Sequence, residues 1–150
     1  MKVISLASAN ITINNRGRGD MISFGGAGKM IGQITYSFEN NVFEMDSTAD
    51  GGYAVAHNAS KMGTIKIDFT QTSPNTDIMC EYVLWCRDNP ELAAAEITIT
   101  DSTGVMNVQA IDCVPQNYPD NSLQATPQTR SFTFLCGQII PKEYLIGGNN

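Results

Sequence analysis

The chain has 150 residues, of which 9 are Lys or Arg and 15 are Asp or Glu, giving a formal net charge of −6, and 42% of the residues are hydrophobic. That length is one domain able to bury its own core, so neither disulfide staples nor a structural metal is required. The acidic balance leaves too little positive charge for counterion release along a phosphate backbone, which argues against a nucleic-acid binder.

At the start of the chain, Lys2 could flank a secretory leader, but the apolar run from Val3 to Leu6 is interrupted by Ser5. It falls short of the roughly 7–15 apolar residues such a leader needs. No stretch approaches the roughly 20 apolar residues of a membrane span, so a soluble protein made in the cytoplasm, with no membrane partner, is expected. Short strands are expected at 11–13 and 21–24, joined through Arg16-Gly17-Arg18-Gly19-Asp20. Arg18-Gly19-Asp20 matches an integrin tripeptide, but so short a match arises by chance and reads as a turn. Gly25-Gly26-Ala27-Gly28-Lys29 is similar to a phosphate-binding loop, yet Met30 stands where Ser or Thr belongs and Ser23 where the leading glycine belongs. It is a glycine-rich turn that needs no ligand.

Period-two patterning then dominates. Ile34, Tyr36 and Phe38 alternate with Gln33, Thr35, Ser37 and Glu39, and Ile65, Ile67 and Phe69 alternate with Thr64, Lys66, Asp68 and Thr70. Each set predicts a strand with one wet face, over 33–39 and 64–70. Between them, at about 40–59, Phe43/Met45 and Tyr53/Val55 alternate on either side of Asp50-Gly51-Gly52, which predicts an extended hairpin arm. Such an arm leaves apolar groups exposed unless a neighbouring copy covers them.

The period changes once. From 74 to 89, Ile78, Met79, Tyr82, Val83, Trp85 and Cys86 recur at helical spacing, with Ser73 as N-cap, Pro74 at the first helical position and Asn89-Pro90 as the stop. Strands resume at 96–100 and 105–113, paired through a turn at Asp101-Ser102-Thr103-Gly104. Met106, Val108 and Ala110 share one face of the second of these, whereas Ile111 and Cys113 are out of phase, which predicts a bulge. An irregular loop at 118–127, a strand at 131–136 and a frayed tail at about 143–150 complete the chain. The reading is mainly β and antiparallel, with one helix laid on a sheet, in a single domain over 1–150.

No catalytic or metal-binding constellation survives inspection. His57, the only histidine, is in phase with Tyr53 and Val55 and has no nucleophile elbow or Cys-His signature nearby. Glu39, Glu44, Asp46, Asp50 and Asp68 read as charges on wet sheet faces rather than a glycosidase pair. Cys80, Cys86, Cys113 and Cys136 lack metal-ligand spacing and sit in apolar stretches, as reduced core residues do. No enzyme activity, metal or cofactor is expected.

Four pieces in order carry a resemblance: Gly25-Gly26-Ala27-Gly28 leading into Ile34-Thr35-Tyr36-Ser37-Phe38; Ala49-Asp50-Gly51-Gly52; Ser60-Lys61-Met62-Gly63-Thr64-Ile65-Lys66-Ile67 continuing to Gln71-Thr72-Ser73-Pro74-Asn75; and Ile97-Thr98-Ile99-Thr100-Asp101. Over roughly 25–142 the chain resembles the tail tube proteins of contractile-tailed bacteriophages, in particular the small tube proteins of Mu-like and related phages and prophages. The resemblance implies a β-sandwich or half-barrel with one flanking helix, completing an inter-subunit β-barrel in a hexameric ring. Rings stack into a hollow tube in the virion, assembled in the host cytoplasm. The implied partners are the sheath protein around the tube, a tape-measure protein during assembly, and DNA that crosses the lumen without specific binding. By the same resemblance Gln33, Thr35, Ser37, Glu39, Thr64, Lys66, Asp68 and Thr70 line the lumen. Phe43, Glu44, Met45, Asp46, Asp50, Gly51, Gly52, Tyr53 and His57 form an arm that contacts the adjacent ring. An acidic wall would keep DNA mobile, and Lys66 runs against that unless Asp68 or Glu39 offsets it. A second reading is a non-enzymatic β-sandwich binding module, such as a virion decoration or adhesion domain.

Overall fold

The computed structural model describes residues 9–25, 31–101 and 104–143. Within them the alternating segments become strands β1 (Ala9–Asn15), β2 (Asp20–Gly25), β3 (Ile31–Phe38), β4 (Phe43–Ser47), β5 (Tyr53–His57), β6 (Gly63–Thr70), β7 (Ala95–Asp101), β8 (Asn107–Pro115) and β9 (Thr129–Pro141), with helix α1 (Pro74–Asp88) between β6 and β7. Seven strands form one sheet in the order β2-β1-β7-β8-β9-β6-β3, and β4 and β5 form a separate two-stranded sheet. Every pairing is antiparallel. The leader-like start, the glycine-rich turn from Gly26 on, the centre of the 101–104 turn and the tail beyond Glu143 lie outside the described residues.

Alternation puts one face of each long strand into a common core: Ile11 and Ile13 of β1, Ile65, Ile67 and Phe69 of β6, Ile97 and Ile99 of β7, Val108 and Ala110 of β8, and Phe132 and Phe134 of β9 are all buried. The sheet curls around these residues. Phe24 of β2 stacks on Phe69 of β6 with ring centroids 5.4 Å apart, although four strands separate β2 from β6 in the hydrogen-bonded order. Phe69 in turn meets the edge of Phe132 at 6.0 Å. The result is a half-barrel: among the described residues β2 and β3 end the sheet and are not paired with each other. The tilted and edge-on ring contacts suit the aromatic quadrupoles as well as burying area.

Helix α1 begins as the sequence predicts. Ser73 is extended at φ −69° and ψ 136°, and its Oγ accepts the Asn75 N–H at 3.2 Å, with Pro74 at the first position. At the other end Asn89 closes the helix through its backbone N–H to the carbonyls of Trp85 and Cys86. Met79, Tyr82, Val83 and Cys86 point into the core beside β6 and β8.

The arginine-rich turn between β1 and β2 locks this helix in place. Asn15, buried at the end of β1, donates from Nδ2 to Tyr82 Oη at 3.1 Å and to the Leu92 carbonyl at 2.9 Å, while its Oδ1 accepts the Arg18 N–H at 3.0 Å. The Arg18 guanidinium lies 5.6 Å from the Tyr82 ring centroid and 5.4 Å from that of Trp85, and Nε pairs with Asp20 at 3.2 Å. Burial pushes the Tyr82 hydroxyl well above its ordinary value, so it stays neutral as the partner of Asn15. The tripeptide Arg18-Gly19-Asp20 is therefore a structural turn. Gly19 supplies the left-handed φ of 83° that the turn needs. Arg18→Ala, which removes two cation–π contacts and the packing of the aliphatic stem, is expected to cost about 1–2 kcal/mol. A fall of a few degrees in thermal unfolding checks this; an unchanged midpoint would show the stack to be without energetic weight.

Two phase shifts bend the sheet at one level. Ala95 faces Cys113 and Ile97 faces Ala110, so β8 carries one extra residue, and Asp112 there has a φ of 56°. The predicted bulge is present, and it returns Cys113 to the core face beside Val108 and Ala110 while Ile111 stays half-buried. β9 shifts with it: Cys136 and Ile139 are buried on either side of Gly137 and Gln138.

Candidate assembly surfaces

The first surface is the polar face of the half-barrel, turned away from the core. Along β3, Gln33, Thr35 and Ser37 are exposed, as is Glu39 just beyond the strand, while Ile34 and Tyr36 pack against the core. Along β6, Lys66 is exposed and Thr64, Asp68 and Thr70 are half-buried. Strand register assembles these into rows running across three strands: Ser37, Thr64 and Leu135; Thr35, Lys66 and Thr133; Gln33, Asp68 and Ser131. Thr70 pairs with Thr129. Ser37 Oγ and Thr64 Oγ1 lie 3.2 Å apart, and Gln33 Nε2 donates to Thr35 Oγ1 at 3.2 Å. Seven of the eight residues expected to line a lumen alternate on this face of β3 and β6, and Glu39 lies just past the end of β3. Sequence reasoning missed its continuation onto β9, where Thr129, Ser131, Thr133 and Leu135 alternate with buried Arg130, Phe132, Phe134 and Cys136. That alternation was the signal available. Chemically the face is a hydroxyl-rich wall with few charges, Lys66 standing two residues from Asp68.

The second surface is the arm. β4 and β5 pair from Phe43 opposite His57 to Ser47 opposite Tyr53, and every residue from 41 to 60 is exposed. Directly opposed residues share a face, so Phe43, Met45, Tyr53, Val55 and His57 lie on one side and Glu44, Asp46, Ala54 and Ala56 on the other. The first side is apolar and uncovered: Phe43 is 62% exposed, Met45 66%, Tyr53 73% and Val55 53%. His57 stacks on Phe43 with centroids 5.0 Å apart. At the tip the Thr48 N–H donates to the Gly52 carbonyl at 2.9 Å, and Gly51 takes a φ of 90°. Asp50 accepts from the Thr48 hydroxyl and from the Gly52 N–H, which hold its carboxyl below the usual carboxylate range and keep the tip charged. A lone two-stranded hairpin is marginal in water, and this one carries a bare apolar side.

The third surface is the pair of sheet margins. Among the described residues β2 pairs only with β1, and β3 only with β6. Each therefore has, among those residues, one row of backbone groups with no strand partner. Among the same residues no three of His, Cys, Asp and Glu stand close enough to hold a metal ion, and no helix is long and apolar enough to cross a membrane.

The profile of a family described as Bacteriophage PhiTE tail tube protein matches residues 1–143. The chain belongs to this tail tube family. Solved structures share the fold at low identity. A chain of an extracellular contractile injection system, the PVC sheath/tube terminator in its extended state, aligns at TM-score 0.58 with 11% identity, covering 95% of this chain and 98% of that one. The anti-feeding prophage cap, or AFP tube terminating cap, aligns at 0.55 with 12% identity over 95% and 92% of the two chains. A chain of the PVC sheath-tube complex in its extended state aligns at 0.53 with 14% identity over 93% and 91%. No curated protein sequence matches. This tail tube protein is thus a structural subunit of a phage or phage-like particle. The family sets aside the alternative of a decoration or adhesion module.

Proposed function

We propose that this tail tube protein works by closing with five further copies into a ring whose joined sheets form a continuous barrel, and that rings stack through the β4–β5 arm. The uncovered apolar side of that arm carries the reading, because Phe43, Met45, Tyr53 and Val55 share one exposed face outside the core, as a contact surface does. The margins β2 and β3, unpaired on one side among the described residues, support ring closure, since joining edges head to tail around a ring removes them. In this arrangement the hydroxyl-rich face of β3, β6 and β9 lines the lumen. Threonine and serine present hydration without strong charge, and the net charge of −6 keeps DNA from adhering as it passes. The helix side faces outward to a contractile sheath, a tape-measure protein occupies the lumen during assembly in the host cytoplasm, and the subunit carries no catalysis.

Electron microscopy and sedimentation of the purified protein test this directly. Six-fold rings and stacked tubes of even bore are expected as concentration rises. A species that stays monomeric at high concentration, with no rings on the grid, would overturn the proposal.

A further inference from the structure

The core holds a nucleophilic pair that tube building does not use. Cys113 of β8 and Cys136 of β9 are directly opposed in register, and both side chains lie on the core face. Their sulfurs are 3.2 Å apart, inside ordinary van der Waals contact, while both remain free thiols. Opposed residues on antiparallel strands have Cα atoms separated by about 4.5–5.5 Å, within the span a disulfide accepts. The rest of the cross-strand row is small: Gly63 of β6 lies beyond Cys136, and Ala95 of β7 beyond Cys113. No bulky side chain in that row resists a further approach of the two sulfurs. The bulge at Asp112 and the matching shift at Gly137 bring both thiols onto the buried face at the same level. By contrast Cys80 and Cys86 of α1 are six residues apart and point in different directions around the helix.

We propose that Cys113 and Cys136 form an oxidation site, a thiol pair shielded at 0% and 3% exposure that closes to a cross-strand disulfide when a local opening of the sheet admits peroxide, and so staples β8 to β9. With Cys113 donating its S–H to the Cys136 sulfur, that hydrogen bond favours a thiolate at Cys136 against the opposing effect of burial, and Cys136 is taken as the attacking group. Its sulfur attacks one peroxide oxygen; an S–O bond forms, the O–O bond breaks and hydroxide leaves, taking up the thiol proton as water. The resulting sulfenic acid is attacked by Cys113; the S–S bond forms, the S–O bond breaks and a second water departs. Two thiols and one hydrogen peroxide thus become one disulfide and two waters. A link between residues 113 and 136 closes a loop long enough to restrict the unfolded chain substantially.

The test uses the full chain, reduced and then treated with hydrogen peroxide. Free thiols are expected to fall from four to two, with the loss of two hydrogens in intact mass and a non-reducing peptide map joining 113 to 136. Thermal unfolding is expected to rise by roughly 5–10 °C, and a reducing agent to reverse the rise. Cys80→Ala with Cys86→Ala should keep the shift, and Cys136→Ala should lose it. Should Cys136→Ala fail to fold, the peptide map of the unmutated chain decides alone. Oxidation confined to Cys80, intermolecular links only, or sulfinic acid at Cys136 with no link to Cys113 would overturn the proposal. Because all readouts are made on the isolated chain, failure here leaves the tube assignment standing.

Discussion

Met45→Asp combined with Tyr53→Asp is expected to leave the domain folded and to abolish tube growth. The two residues are 66% and 73% exposed and lie on the same side of the arm, so the isolated subunit loses no core contact. Exposed substitutions of this kind move stability by no more than about 0.5 kcal/mol, and unfolding of the isolated subunit should hardly change. Assembly is different. Covering a Met or Tyr side chain contributes about 1.5–3 kcal/mol, and a carboxylate in its place must be desolvated against an apolar partner. With two such changes per arm, the concentration needed for stacking rises by at least ~100-fold, which at ordinary protein concentrations means none. Glu44→Gln with Asp46→Asn on the opposite side of the same hairpin is the matched control and should assemble almost normally. Sedimentation and microscopy separate the outcomes. Tubes of ordinary length from the aspartate double variant would remove the arm from the stacking contact, and a large drop in its unfolding temperature would show that the arm belongs to the fold instead.

What the sequence made legible follows from where local chemistry is strong. Ser73, Pro74 and Asn89-Pro90 mark the ends of α1 because capping and proline stereochemistry act within a few residues, and the helix starts and stops there. The strands at 33–39 and 64–70 were clear because one wet face enforces strict alternation, and the structure pairs them over nearly their whole length. The arm was readable for the same reason on both sides of a glycine turn. The phase break at Ile111 likewise reported the bulge in β8.

Other features rest on contacts distant in sequence. β9 runs for 13 residues to Pro141, whereas its pattern ends at Cys136 because Gly137 and Gln138 shift the phase before Ile139 returns to the core. Only the partner strand β8, bent at the same level, makes that continuation favourable. Arg130 is buried in a strand of alternating apolar residues, since its guanidinium reaches the Pro119 carbonyl at 2.8 Å and stacks on Tyr118. Nothing near Arg130 in sequence announces that loop. The clamp of Asn15 and Arg18 on Tyr82 and Trp85 joins residues more than sixty positions apart, so a motif search finds only a misleading tripeptide. Polar faces are visible in sequence as faces, but which neighbour meets them depends on contacts beyond the chain itself.

Gly63→Ala is expected to be the most damaging small substitution in the sheet. Gly63 opens β6, opposite Phe38 on one side and Cys136 on the other, at the root from which the arm departs. A Cβ there would fall 2.5 Å from Ile139 Cδ1 and closer still to the Ser37 carbonyl oxygen. The isoleucine tip can rotate away, but the carbonyl belongs to the β3–β6 ladder and moves only if the strands separate. Overpacking against side chains costs typically about 1–3 kcal/mol, and backbone that cannot yield places this case at or above the upper end. For a chain of this size that corresponds to a fall of roughly 6–12 °C in the unfolding midpoint. β3 is also a sheet margin, so separation at Ser37 should weaken the proposed ring closure further than the loss of stability alone. Gly32→Ala supplies the comparison within the same strand pair: its Cβ would lie 3.5 Å from the Asp68 carbonyl oxygen, ordinary contact, with no left-handed φ to strain. That variant should unfold within a degree or two of the unmodified chain. Equal midpoints for the two alanine variants would mean that β3 and β6 do not approach at Gly63 as closely as the register requires.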